Sequence, residues 1–103
     1  MNTFTSTEKI ALDRLIIEAK SKTREGGRVA DFLLAWWNAD TCGGFNPTKA
    51  WTFEDDVAED IITIFSYIVR NQRRFPDYLG YEEQFVNLMQ QWRPKAANTL
   101  MFI

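Results

Sequence analysis

The sequence contains no histidine and a single cysteine, Cys42. Zinc sites, histidine acid–base relays and Ser-His or Cys-His nucleophile pairs all need residue types that are missing or too few, which excludes most familiar hydrolase chemistry. One cysteine also forbids an intrachain disulfide. The five glycines form neither GxGxxG nor GxxxxGK[ST], so no phosphate-cradling loop is encoded. Long apolar runs are missing too. Phe32 to Trp37 and Ile61 to Phe65, the latter interrupted by Thr63, fall far short of the roughly 18 residues that cross a bilayer. The opening residues Met1, Asn2, Thr3 and Phe4 lack the basic start and apolar stretch of a signal peptide, so a cytoplasmic protein without membrane contact is expected. A net charge of -2 and a pI near 5.1 give no overall attraction to nucleic-acid backbones.

What is present is ordinary globular usage, 46% hydrophobic with 25% charged residues, in a 12.0 kDa chain with room for one domain. Aromatic residues make up 15% (Trp 4, Tyr 3, Phe 8), enough for a ring-rich core. Thr5 and Glu8 form a capping-box pattern ahead of Ala11, Leu12, Leu15, Ile16 and Ala19 at helical spacing, which predicts a first helix from Ser6 to about Lys22. Gly26-Gly27 predicts a short break. Val29, Phe32, Leu33 and Trp36 form the stripe of a second helix. Ala30, Leu34, Ala35 and Trp37 carry apolar character around most of its circumference, so this helix should be central. The turn-forming composition of Asn38 to Ala50 predicts one long loop.

Thr52 with Asp55 repeats the capping logic, and Val57, Ile61, Ile64, Phe65 and Ile68 predict a third helix from about Phe53 to Arg73, stopped by Pro76. From Tyr81, the residues Phe85, Leu88, Met89 and Trp92 predict a fourth helix, ended by Pro94. No internal repeat and no strand-period run competes. The expectation is an all-α, single-domain bundle of four helices spanning residues 1–103.

Several segments carry candidate chemistry. Trp36 and Trp37 point about 100° apart on a helix, so that Trp36 continues the buried stripe and Trp37 lies off it. With Asn38, Asp40 and Phe45, Trp37 forms a candidate aromatic recognition patch beside the Gly43-Gly44 turn; the plainer alternative is that the rings pack and the glycines turn the chain. Cys42 has no histidine base and is a weak nucleophile candidate. Asp55, Asp56, Glu59 and Asp60 read as a solvated acidic helix start and not as a metal site, and no cofactor is expected. Arg70, Arg73 and Arg74 beside Tyr78 have the basic-plus-aromatic mix that grips phosphates, although arginines also close a helix C-terminus favourably. The apolar tail Leu100, Met101, Phe102 and Ile103 should dock on this chain or on a second copy, which opens the possibility of a homodimer.

Several strings point further. Ala11-Leu12-Asp13-Arg14-Leu15, the run from Arg28 to Ala39, Cys42-Gly43-Gly44-Phe45, Asp77 with Leu79-Gly80-Tyr81, and Trp92-Arg93-Pro94 together resemble an uncharacterised family of small proteins carried by plasmids and integrative elements of Gram-negative bacteria. The resemblance covers roughly Ala11 to Pro94. It implies a bacterial, mobile-element setting and brings no assigned activity or catalytic residue. Residue chemistry then favours a non-enzymatic accessory protein that binds another protein. The alternative is a small nucleic-acid-binding module working through Arg70, Arg73, Arg74 and Arg93.

Overall fold

The computed structural model describes the backbone of residues 4–101 and the side chains of residues 4–98. Five α-helices occur among the described residues: α1 (Ser6–Lys20), α2 (Arg24–Cys42), α3 (Asp55–Arg70), α4 (Glu82–Trp92) and α5 (Pro94–Met101), with 3₁₀ helices at Pro47–Thr52 and Pro76–Leu79. The all-α expectation holds. The start of α1 follows directly from its sequence: Thr5 accepts the Glu8 amide while the Glu8 side chain accepts the Thr5 amide, so the first turn satisfies its own donors.

The helices enclose one core. Ala11, Leu12, Leu15, Ile16 and Ala19 of α1 meet Val29, Ala30, Leu33 and Leu34 of α2, Ile61 and Ile64 of α3, and Phe85, Leu88 and Met89 of α4. All five residues of the α1 stripe are buried, and this short helix packs against α2, α3 and α4. The centre of the molecule is therefore α1 more than the apolar α2, because α2 presents its outer apolar residues to a groove described below.

Four boundaries differ from the sequence-based expectation. Gly26 and Gly27 do not break the chain; they lie in the first turn of α2, whose N-cap Thr23 accepts the Gly26 amide, and the break falls at residues 21–23 instead. The predicted long loop is mostly helical. Asn38 interrupts α2, but its side chain accepts the Thr41 amide and re-caps a last turn that runs to Cys42, after which Pro47 opens a 3₁₀ helix. Thr52 does not cap α3: its hydroxyl donates to the Lys49 carbonyl, and the amide of the true N-cap, Glu54, is taken by the Glu25 carboxylate at 2.7 Å. Pro94 opens α5, its fixed φ and missing N–H suiting the first helical position as well as they suit a stop.

The acidic helix start also divides. Asp55, Asp56 and Glu59 face solvent, but Asp60 is buried and receives two hydrogen bonds from Arg14, at 2.9 and 2.8 Å, which tie α3 to α1. The arginine is largely exposed and the carboxylate is not. Removing each partner should therefore have unequal effects. Arg14→Ala strands a buried carboxylate and is expected to be clearly destabilising, whereas Asp60→Ala returns only a solvated guanidinium to water and costs less. Equal losses in paired urea titrations would contradict this asymmetry.

The tail lies beyond this description. The side chains of Leu100 and Met101, with residues Phe102 and Ile103, fall outside the described residues, and so does the homodimer expectation that was tied to them.

Candidate functional site

The adjacent tryptophans line two hollows. Both rings are half-buried, and they point in different directions. Trp36 stands edge-on to Tyr67 and Phe85, with ring centroids 6.4 and 6.0 Å away, and lines an apolar groove. Trp37 tilts against Phe85 from another side, its indole N–H donates to Asp77 at 2.7 Å, and it lines a polar hollow.

The groove has a volume of about 810 Å³. Its α2 wall is Phe32, Ala35 and Trp36; its α3 wall is Ile61, Ile62, Phe65, Ile68 and Val69; Phe45, Pro47 and Ala50 close one side. Phe45 is held in place by edge contact with Phe32 at 5.5 Å and by parallel stacking on Phe53 at 6.3 Å. Ser66 and Arg70 are the polar residues on the lining. The α3 wall is open to water: Ile62, Phe65 and Val69 are 62%, 55% and 67% exposed. Trp51, on the 3₁₀ helix that supplies Ala50, is 86% exposed. Large apolar side chains gathered in this way on one concave face make this groove the candidate binding surface, whereas the same residues scattered singly would not.

The polar hollow is smaller, about 450 Å³, and is lined by Trp37, Asn38, Arg73, Phe75, Asp77 and Tyr78. Four sequence candidates from two distant segments, Trp37, Asn38, Arg73 and Tyr78, thus meet in one place. Arg73 adopts φ 65°, a left-handed conformation unusual for a residue with a side chain, and Arg74 lies over the Tyr78 ring at 4.3 Å. The other candidates separate. Phe45 and Arg70 belong to the groove, and Asp40 is exposed near the end of α2, lining neither hollow. Arg93 is turned inward, donating to the Cys42 carbonyl and to Asp31, so it clamps the end of α2 to the α4–α5 junction and presents no phosphate-binding surface.

Cys42 is 3% exposed, and burial pushes its thiol above the ordinary range, the reverse of what a nucleophile needs. Among the described residues no group of three or more histidine, cysteine, aspartate or glutamate side chains is placed to hold a metal ion. Likewise no helix among them is long and apolar enough to cross a membrane.

Sequence reasoning missed the α3 wall. The periodicity places Phe65 on the core stripe of its helix, and Ile62 and Val69 on no stripe. The signal was nevertheless there, since Ile62, Phe65 and Val69 follow one another at helical spacing beside the Ile61, Ile64 and Ile68 stripe, making α3 apolar over more of its surface than one core contact requires.

In comparisons with known proteins, the model of a family of unknown function (DUF7673) matches residues 9–93. No curated protein and no solved structure matches the chain.

Proposed function

The chain belongs to a family of unknown function, DUF7673, and we propose that it is a non-enzymatic accessory protein that acts by binding another protein. The apolar groove between α2 and α3 receives a segment of the partner. One observation carries this reading: a concave face of about 810 Å³ bordered by Ile62, Phe65 and Val69, each more than half exposed. An open trough between two helices suits the apolar face of an amphipathic segment, whose side chains at i, i+3, i+4 and i+7 reach into such a space. The setting implied by the sequence resemblance, a bacterium carrying a mobile element, fits a small accessory factor.

The polar hollow favours a second reading, a small nucleic-acid-binding module, because Arg73, Phe75 and Tyr78 combine positive charge with stacking surface. Against it, the hollow also holds the Asp77 carboxylate, and the chain carries a net charge of -2.

Affinity capture from a bacterial host with three baits separates the two readings. A protein retained by the wild type and by Arg73→Ala, but lost with Phe65→Glu, is the expected result. Phe65 is 55% exposed, so the glutamate should not unfold the chain. Identical protein capture by all three baits would sink the groove reading. Retention of nucleic acid that fails with Arg73→Ala and falls steeply as salt is raised would instead establish the second.

A further inference from the structure

We infer that the open side of the groove is covered by a second copy of this chain, with the two α3 helices antiparallel about a two-fold axis that passes near Phe65. The inference rests on the reading of the groove as a protein-binding surface and names its occupant.

The warrant is the pattern along the solvent side of α3. Ile62, Phe65 and Val69 form an exposed seam with steps of three and four residues, the spacing by which helices pair at a shallow angle. Charge brackets this seam. Exposed Asp55, Asp56 and Glu59 lie at its start, and exposed Arg70, Arg73 and Arg74 lie at or just past its end. Glu59 and Arg70 are about three helical turns apart on the same flank of the seam.

Geometry then selects one arrangement. Parallel pairing would set acid against acid and arginine against arginine. A two-fold axis perpendicular to the helices keeps a flank on its own side while reversing direction, so Glu59 of each copy comes opposite Arg70 of the other. The same operation sets Phe65 against its counterpart and Ile62 near Val69 on either side of it. Three exposed apolar residues and two symmetry-related charge pairs make a small contact, so the assembly should be a concentration-dependent equilibrium and not an obligate dimer.

Sedimentation velocity of the full chain over a wide range of micromolar concentrations provides the test. The wild type should shift from monomer towards dimer, more readily at low salt. Phe65→Glu should stay monomeric with an unchanged helical circular dichroism spectrum. Glu59→Arg and Arg70→Glu, each alone, should weaken pairing by about three- to tenfold, as expected when a rim attraction becomes a repulsion. Mixing the two variants should restore it, since each variant then presents the charge that the other lacks. A wild type that is monomeric at every concentration would overturn the proposal, and so would a dimer indifferent to all three substitutions. Failure here is distinguishable from failure of the functional reading: a monomer that still captures another protein through Phe65 keeps the groove as a binding surface and removes only self-pairing.

Discussion

Phe85→Ala is expected to lower the free energy of unfolding by about 3–5 kcal/mol. Phe85 is fully buried on α4 and belongs to the central cluster, with Trp36 edge-on at 6.0 Å and Trp37 tilted at 6.1 Å between ring centroids. Its loss removes transfer free energy and leaves a void that two half-buried tryptophans, fixed on one helix and engaged on other sides, can close only in part. Since a domain of this size is stable by about 5–15 kcal/mol in all, the variant should show a much lower urea midpoint. Tryptophan fluorescence should change in the native baseline as well, because both rings lose a neighbour. Phe65→Ala is the control. That ring is 55% exposed, and its removal should cost no more than about 1 kcal/mol. A loss below about 1 kcal/mol for Phe85→Ala would mean that the core repacks freely around the two tryptophans.

Gly26→Ala should destabilise the protein by about 1–3 kcal/mol, against the ordinary helical rule. Glycine inside a helix is worse than alanine by about 1 kcal/mol, so sequence reasoning alone would expect this substitution to help. The structure reverses the sign. A Cβ at position 26 would sit 2.7 Å from the Glu18 carbonyl oxygen and 2.5 Å from the Ser21 hydroxyl, with the Ser21 carbonyl closer still. Two of these three are backbone atoms at the end of α1, and they cannot move without separating α1 from α2. Gly27 offers the comparison: a Cβ there meets the Trp92 ring at 3.2 Å, a side chain anchored by its indole N–H to the Ala19 carbonyl at 2.8 Å but able to shift slightly. Gly27→Ala should accordingly be the milder of the two by thermal melting. A stabilising Gly26→Ala would show that the α1–α2 corner is looser than drawn.

These two glycines show where reading from sequence stops. Their effect on φ and ψ is local and predicts a break; their function is to admit another part of the chain, which no local rule reports. The same division runs through the molecule. The sequence alone specifies the all-α class, the capped start of α1, the five residues of its inner face, and the Phe85, Leu88 and Met89 stripe of α4. All of these are read from patterns whose members lie within about four residues of one another along the chain. It also brought Trp37, Asn38, Arg73 and Tyr78 forward as candidates, although nothing in their spacing joined them. Packing between distant segments sets the rest: that they meet, that Asp60 is buried against Arg14 while its acidic neighbours face water, that Pro94 opens a helix, and that Phe65 turns out to the rim of a groove. Helical periodicity states which side chains share a face. Whether that face meets a neighbouring helix, the edge of a trough or water depends on how far apart the helices stand, and the trough between α2 and α3 is bordered by Phe45, Pro47 and Ala50, from a segment whose sequence signals only turns.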